Sequence, residues 1–317
     1  MAQARFASGG RPIAVIICTH NPRRDYFERT LAALRAQTLA GESWELIVID
    51  NASTPECKPR LEDISWHPNA RLLTETKLGL TPARLRGIRE ARAELLVFVD
   101  DDNVLDGDFL EVALKIAQEK PFLGAWSGQC LPSFEAPPPE WTRRYWGSLV
   151  IRQFDQDAWS NLPRLGDTMP CGAGLCVRRQ VAQRYRALHD AGKRLFQLDR
   201  TGDSLVSGGD NDLAGCACDV GLGVGLMPAL KLTHLIPPER LTEAYLSRLA
   251  EGISFSAALL DAERGRVAPR RGLIGKIADA FRLARLSARD RRIMRASLRG
   301  QAKAQDYLRR RSDRTSR

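Results

Sequence analysis

The chain has 317 residues, 44% of them apolar and 27% charged, the balance of an ordinary globular protein with length for one large or two modest domains. No apolar run approaches the roughly 18–20 residues that a membrane-spanning helix needs, and no secretory-type apolar core opens the chain, so the sequence reads as cytoplasmic rather than exported or membrane-spanning. The net charge of +10 is unevenly placed: Arg264 to Arg317 holds 18 Lys plus Arg against four Asp, leaving this tail at +14 and everything before it at −4.

Residues 1–11 read as a disordered leader. Ile13 to Cys18 is an unbroken apolar run that suits a strand buried on both faces. A helix is expected over about 24–37, a second strand over Glu45 to Asp50, a weaker strand near Arg71 to Thr74 and a helix over about 82–93. Leu95-Leu96-Val97-Phe98-Val99 then ends in Asp100-Asp101-Asp102-Asn103. Short buried strands alternating with helices predict parallel βαβ units, hence a Rossmann-like nucleotide-binding half. Three of these strands close on polar residues, Thr19-His20-Asn21, Asp50-Asn51 and Asp100 to Asn103, which gathers polar groups along one sheet edge, where ligands of open α/β sheets bind. Three adjacent carboxylates repel one another. A divalent cation would compensate them, and hard oxygen ligands suit Mg2+ or Mn2+; the alternative is a solvated acidic turn, with Asp106 or Asp108 capping the helix expected over about 108–118.

Beyond that helix the composition changes. Residues 132–165 are rich in Pro and aromatics with little periodicity, and four of the six tryptophans lie between 126 and 159. Trp141, Tyr145 and Trp146 either pack a core or form a stacking platform for a ring-shaped acceptor. A strand over Cys171 to Val177, a helix over about 180–189, and a tight Ser207-Gly208-Gly209 turn into a helix bearing Asp210 and Asp212 follow; either acid could serve only as a helix cap. A further helix is expected over about 238–252. In the tail, Leu273, Ile274, Ile277, Phe281 and Ala284 recur at helical spacing beside Lys276, Arg282, Arg285 and Arg289. That pattern suits a basic amphipathic helix on an anionic membrane surface, or one docked on the body or on a second subunit; nucleic acid is the third partner, favoured by charge alone. The seven cysteines form no C-x-x-C pair and read as reduced thiols.

Taken in order, Ile16 to Asn21, Ile47 to Thr54, Gly79 with Ala83-Arg84 and Gly87, Asp100-Asp101-Asp102, Gly172-Ala173-Gly174 with Arg178-Arg179, Gly209-Asp210-Asn211-Asp212-Leu213, Pro228 and His234 resemble the motifs of the inverting, bacterial-type family 2 glycosyltransferases of the GT-A fold. The resemblance covers roughly residues 12–255. It implies a nucleotide-sugar-binding half over 12–105 with a mostly parallel sheet, an acceptor and catalytic half over 106–255, and a basic helical extension over 264–317.

The same resemblance implies a sugar nucleotide, UDP-linked by preference, bound with Mn2+ or Mg2+, and a saccharide or lipid-linked acceptor in polysaccharide or glycoconjugate synthesis. Thr19, Asn21, Asp50, Asn51, Lys77, Gly79, Arg84, Asp100, Asp101, Gly172, Ala173 and Gly174 would line the donor site; Asp102 and His234 would hold the metal. Asp210 matches the family's base, with Asp212 the alternative. Two positions depart from the pattern: Leu85 replaces the usual Asn and Gly209 the usual Glu. A sugar nucleotidyltransferase is a rival of similar fold, although Thr19-His20-Asn21-Pro22 is not its phosphate loop. A non-catalytic nucleotide-sugar or nucleic-acid binding module is the rival of another class.

Overall fold

A computed structural model describes residues 11–162, 166–194, 208–266 and 272–315; apart from Arg11, the expected leader lies outside them. The strands are β1 (Ile13–Thr19), β2 (Trp44–Asn51), β3 (Ala70–Glu75), β4 (Leu95–Val99), β5 (Asn103–Leu105), β6 (Leu123–Phe134), β7 (Ala158–Ser160), β8 (Leu175–Arg178) and β9 (Gly223–Ile236). The helices are α1 (Arg24–Arg35), α2 (Leu61–Ile64), α3 (Leu80–Glu90), α4 (Phe109–Glu119), α5 (Arg179–Asp190), α6 (Gly209–Asp219), α7 (Glu243–Glu263), α8 (Leu273–Ala284) and α9 (Ala288–Thr315). The chain divides into two compact units, neither contiguous in sequence: residues 1–135, 149–193 and 209–236 form one, and residues 136–148, 194–208 and 237–317 the other.

The first unit is a mixed sheet in the order β3-β2-β1-β4-β8-β6-β9-β5, with β7 paired to β9. β1, β2, β3 and β4 run parallel, and β8 enters antiparallel between β4 and β6. Alternation along β1 sends Ile13, Val15 and Ile17 to one face, where Phe27, Leu31 and Leu34 of α1 and Phe109, Leu110 and Ile116 of α4 pack. Ala14 and Ile16 face the other way, toward Ala83 and Ile88 of α3, Val181 and Tyr185 of α5 and Leu213 and Cys216 of α6. Layers on both faces explain why these strands read as unbroken apolar runs rather than alternating ones.

Three features differ from the sequence expectation. β6 and β9 are paired in parallel over most of their length; of these the sequence marked only Lys231-Leu232-Thr233 as strand-like, the flanking runs being punctuated by Gly124, Gly128, Pro132, Gly223, Gly225 and Pro228. At Gly128 the two backbones come close: a Cβ there would lie 2.1 Å from the Leu230 carbonyl oxygen. The expected strand at Cys171 to Val177 is shortened to Leu175–Arg178, because Gly174 takes a left-handed φ of 63° that breaks the extended run. The helix expected over 238–252 starts later and runs longer, a 3-10 turn at Pro238–Leu241 being followed by α7, whose first turn is capped by the Thr242 hydroxyl accepting from the Tyr245 N–H.

In the second unit α9 packs on α7. Gly300 lets the helices meet, since a Cβ there would sit 2.2 Å from the Glu251 carbonyl oxygen. Glu243 pairs with Arg292, Glu251 with Arg299 and Lys303, Ser254 and Ser297 share a 2.6 Å hydrogen bond, and Ala304 packs with Leu259 and Leu260. Much of the basic tail is therefore a docked helix. The aromatic segment joins it: Tyr145 donates to Asp290, Arg144 pairs with the same carboxylate at 2.8 Å, and the Arg289 guanidinium lies 4.2 Å above the Trp141 ring.

Candidate active site

Parallel pairing places the ends of β1, β2 and β4 side by side, with Thr19 opposite Asp50 and Ile17 opposite Val99. Antiparallel β8 begins at that same edge, Leu175 facing Phe98, so Gly172, Ala173 and Gly174 stand next to the acidic turn. β5 sets Asn103 opposite His234 of β9. The polar strand ends and the glycine segment thus meet at one edge through strand register alone.

The turns after β1 and β2 are laced together. The Asn21 N–H donates to Ser53 Oγ and Asn21 Oδ1 accepts from the Thr54 N–H, both at 2.8 Å. His20 Nδ1 lies 2.8 Å from the Asn51 carbonyl. Asn21 and Ala52 hold left-handed φ values of 50° and 54°, a conformation that Asn tolerates and Ala seldom adopts. Asp50 is buried; its carboxylate accepts from the Ser53 N–H and faces Lys58 Nζ at 3.6 Å. Asn51 donates to the carbonyls of Glu75 and Lys77 and accepts from the Gly79 N–H at 2.8 Å. Lys77 contributes that carbonyl while its side chain is exposed. Gly79 has φ 136° and opens α3, a backbone state that favours glycine.

Within the acidic turn the three carboxylates have separate surroundings. Asp101 accepts from the Thr19 hydroxyl. Asp102 is buried and accepts from the Asn103 amide at 2.9 Å, with its other oxygen 3.3 Å from His234 Nε2. Asp100 is raised above the ordinary carboxylate range by burial, by Asp102 and by Asp210, against the opposing pull of Arg84 and His234. His234 Nδ1 is 3.1 Å from the Leu149 carbonyl, which can only accept, so Nδ1 carries the proton. Nε2 then turns toward the Asp102 oxygen, which sets imidazole and carboxylate side by side as a pair of ligands would be. The Asp102 carboxylate is a hard oxygen ligand of the kind that suits Mn2+ or Mg2+, and the imidazole beside it is the softer member of the pair. Among the described residues no group of three or more His, Cys, Asp or Glu side chains is placed to hold a metal ion, so the remaining ligands of an ion here would come from bound phosphate and water.

Arg84, on α3, is 4% exposed. Burial works against its charge, and the fields of Asp210 and Asp100 more than restore it, raising the guanidinium above its ordinary value. Yet it forms no hydrogen bond or ion pair among the described residues. Asp210, in the first turn of α6, accepts from the Gly172 N–H at 2.7 Å. A Cβ on Gly172 would lie 3.1 Å from both Arg84 Nη2 and Asp210 Oδ2. Gly172 therefore leaves the room in which these two groups converge.

Asp212 looks another way, with Oδ2 3.9 Å from His189 Nε2 on α5. Trp141, Tyr145 and Trp146 belong to the second unit, where the first two bind α9 and Trp146 Nε1 donates to the Thr142 hydroxyl. Three contributors were given no role of their own by the sequence reading. Asn103 and Ser53 were visible as polar residues completing their turns, D-D-D-N and D-N-A-S. Lys58 meets Asp50 only through folding of the loop and had no local signal.

The profile of the family described as glycosyl transferase family 2 matches residues 14–185, more than half of the chain. A glucosyl-dolichyl phosphate glucuronosyltransferase of Haloferax volcanii is 23% identical over 135 residues, 40% of this chain and 41% of that protein. A protein named putative glycosyltransferase EpsH, of Bacillus subtilis, is 25% identical over 109 residues, 34% of this chain and 31% of that protein. The matches thus span well under half the length of these relatives. The crystal structure of S. aureus TarS 1-349 superposes with a TM-score of 0.50 at 14% identity, covering 92% of this chain and 80% of that one, a likeness of fold. With this family match and the mostly parallel sheet of GT-A fold that carries it, the chain belongs to glycosyl transferase family 2.

Proposed function

We propose that this enzyme moves a sugar from a nucleoside diphosphate, UDP by preference, to a hydroxyl of a saccharide or lipid-linked acceptor, with inversion, in polysaccharide or glycoconjugate synthesis on the cytoplasmic side. The observation that carries the reading is Arg84. Its charge is held by the fields of Asp210 and Asp100 while its N–H donors make no hydrogen bond among the described residues, which leaves them for an anion, and its planar fork suits a diphosphate. Asp50 and the laced turns after β1 and β2 would hold the nucleoside, and Asp100 and Asp101 the ribose side. Asp102 and His234 would hold Mn2+ or Mg2+, which when bound neutralises the departing diphosphate. The Haloferax relative, whose name specifies a dolichyl phosphate-linked sugar, favours the lipid-linked class of acceptor.

In the transfer, the Asp210 carboxylate accepts the proton of the acceptor hydroxyl while that oxygen attacks the anomeric carbon. The bond from that carbon to the diphosphate oxygen breaks on the opposite side, and its electron pair leaves with the diphosphate. The Gly172 N–H keeps one Asp210 oxygen fixed, leaving the other for the hydroxyl. Asp212, turned toward His189, is the second choice of base.

Thermal shift and calorimetry with UDP, with and without Mn2+, alongside turnover of UDP-sugars, test the reading. UDP with Mn2+ should raise the melting temperature by mass action. Asp210→Asn should keep UDP affinity within about twofold and lower turnover by roughly 100-fold or more, the usual scale of a lost general base. No stabilisation by any nucleoside diphosphate in the presence of metal would overturn the donor class. Equal binding with no turnover in either form would make the protein a binding module.

A further inference from the structure

The two tail helices divide the basic surplus unequally. α9 is committed to α7 and to the Trp141–Tyr145 segment, as described above. α8 meets α9 at its end, where Arg291 of α9 donates to the carbonyls of Leu283 and Leu286 at 2.9 and 3.2 Å. Along its free face Ile277 and Phe281, one helical turn apart, are 57% and 63% exposed. Arg282 and Arg285 are exposed beside them, with the Arg285 guanidinium 4.9 Å from the Phe281 ring centre. Asp279, the only acid of this helix, is buried. The open face is thus apolar along its middle, cationic along its border and free of negative charge.

We propose that α8 is an interfacial anchor that lies on an anionic lipid surface, with Ile277 and Phe281 in the acyl boundary and Arg282 and Arg285 among the headgroup phosphates. Each candidate occupant can be weighed against this face. Nucleic acid would reward the arginines but leave two large apolar side chains in water. A second copy would bring Arg282 and Arg285 against their own counterparts, and one face of a 12-residue helix offers far less than the roughly 1,200 Å² of a stable interface. An anionic bilayer satisfies both halves of the pattern. The helix lies on the surface rather than through it, since no helix among the described residues is long and apolar enough to cross a membrane. Because its readout is vesicle binding, the inference is independent of sugar transfer.

The test is sedimentation of the full chain with phosphatidylcholine vesicles, with and without phosphatidylglycerol. The protein should pellet with the anionic vesicles, less so as salt is raised, and stay in solution with phosphatidylcholine alone. Ile277→Glu with Phe281→Glu, and separately Arg282→Gln with Arg285→Gln, should each weaken vesicle binding by about tenfold or more. Ile277→Ala with Phe281→Ala, which adds no charge, should weaken it severalfold with an unchanged melting temperature. Wild-type protein left in the supernatant, binding indifferent to phosphatidylglycerol, or apolar variants that pellet like wild type would each overturn the proposal. So would a dimer, seen by sedimentation velocity, that the Ile277 and Phe281 substitutions dissociate, or oligonucleotide binding that accounts for the arginines while vesicles are ignored.

Discussion

Arg84 carries a charge that both the fold and a bound anion would use, which makes its substitution informative. Burial opposes that charge, and the fields of Asp210 and Asp100, with smaller help from Tyr185 and Cys18, more than offset it. Arg84→Met should therefore lower the melting temperature of the free protein, because it leaves the Asp100 and Asp210 carboxylates without their buried counter-charge. The same change should weaken UDP binding by roughly 10- to 100-fold, the scale of a lost charge-assisted contact; equal UDP affinity in calorimetry would take Arg84 out of the donor site. His67 sits in a structural environment with the opposite pH logic. Buried beside Trp44 and Trp66, with Nδ1 accepting from the Asn69 N–H, it is pushed from 6.5 down to about 4 by burial and then by Arg11. An unfolded chain binds this proton first, so the contribution is complete above pH 6.5 and is lost as pH falls toward about 4. His67→Gln should flatten urea-melt stability across that window by about 2 kcal/mol relative to wild type. Of the site itself, the residue types were legible because strand ends of Thr, Asp and Asn are local features. Which carboxylate meets which partner was not: Asp101 to Thr19, Asp102 to His234 and Asp210 to Gly172 each join positions far apart in the chain.

Among the elements, β1, β2 and β4 were readable because a strand covered on both faces needs an unbroken apolar run, as residues 13–18, 46–49 and 95–99 are; the half-buried β3 gave a weaker signal. Of β6 and β9 only Lys231-Leu232-Thr233 was readable, because glycines and prolines punctuate the rest, and at Gly128 the two strands approach too closely for a side chain. Gly128→Ala tests that account. Its Cβ would meet backbone, the Leu230 carbonyl oxygen at 2.1 Å and its carbon at 2.6 Å, which no rotamer change relieves. Destabilisation by about 3 kcal/mol or more is expected in denaturant melts. Since β9 also carries His234, metal-dependent UDP binding should fall with it. A loss under 1 kcal/mol would mean that the register of β6 on β9 shifts at little cost.

For the molecule as a whole, the basic tail is part of a folded unit rather than an appendage. Ending the chain after Arg264 would strip α9 from α7, uncovering Leu259 and Leu260 and unpairing Glu243 and Glu251. Hydrogen exchange of α7 amides should then accelerate by roughly 100-fold or more, on the order of 3 kcal/mol for two leucines returned to water; unchanged exchange would show that α7 holds alone. Charge by itself marked this tail as separate, and helical spacing marked it as amphipathic. Neither could say that α9 is spent on α7 while α8 keeps its apolar stripe outward. Local apolar runs and turn residues determined an α/β fold with polar strand ends at one sheet edge, and the ordered motifs carried the resemblance to family 2, because those depend on short stretches of chain. Only the tertiary structure decided the division into two units, the convergence of Arg84 and Asp210 across Gly172, and the seat of each tail helix, because those rest on contacts between segments that sequence spacing leaves unrelated.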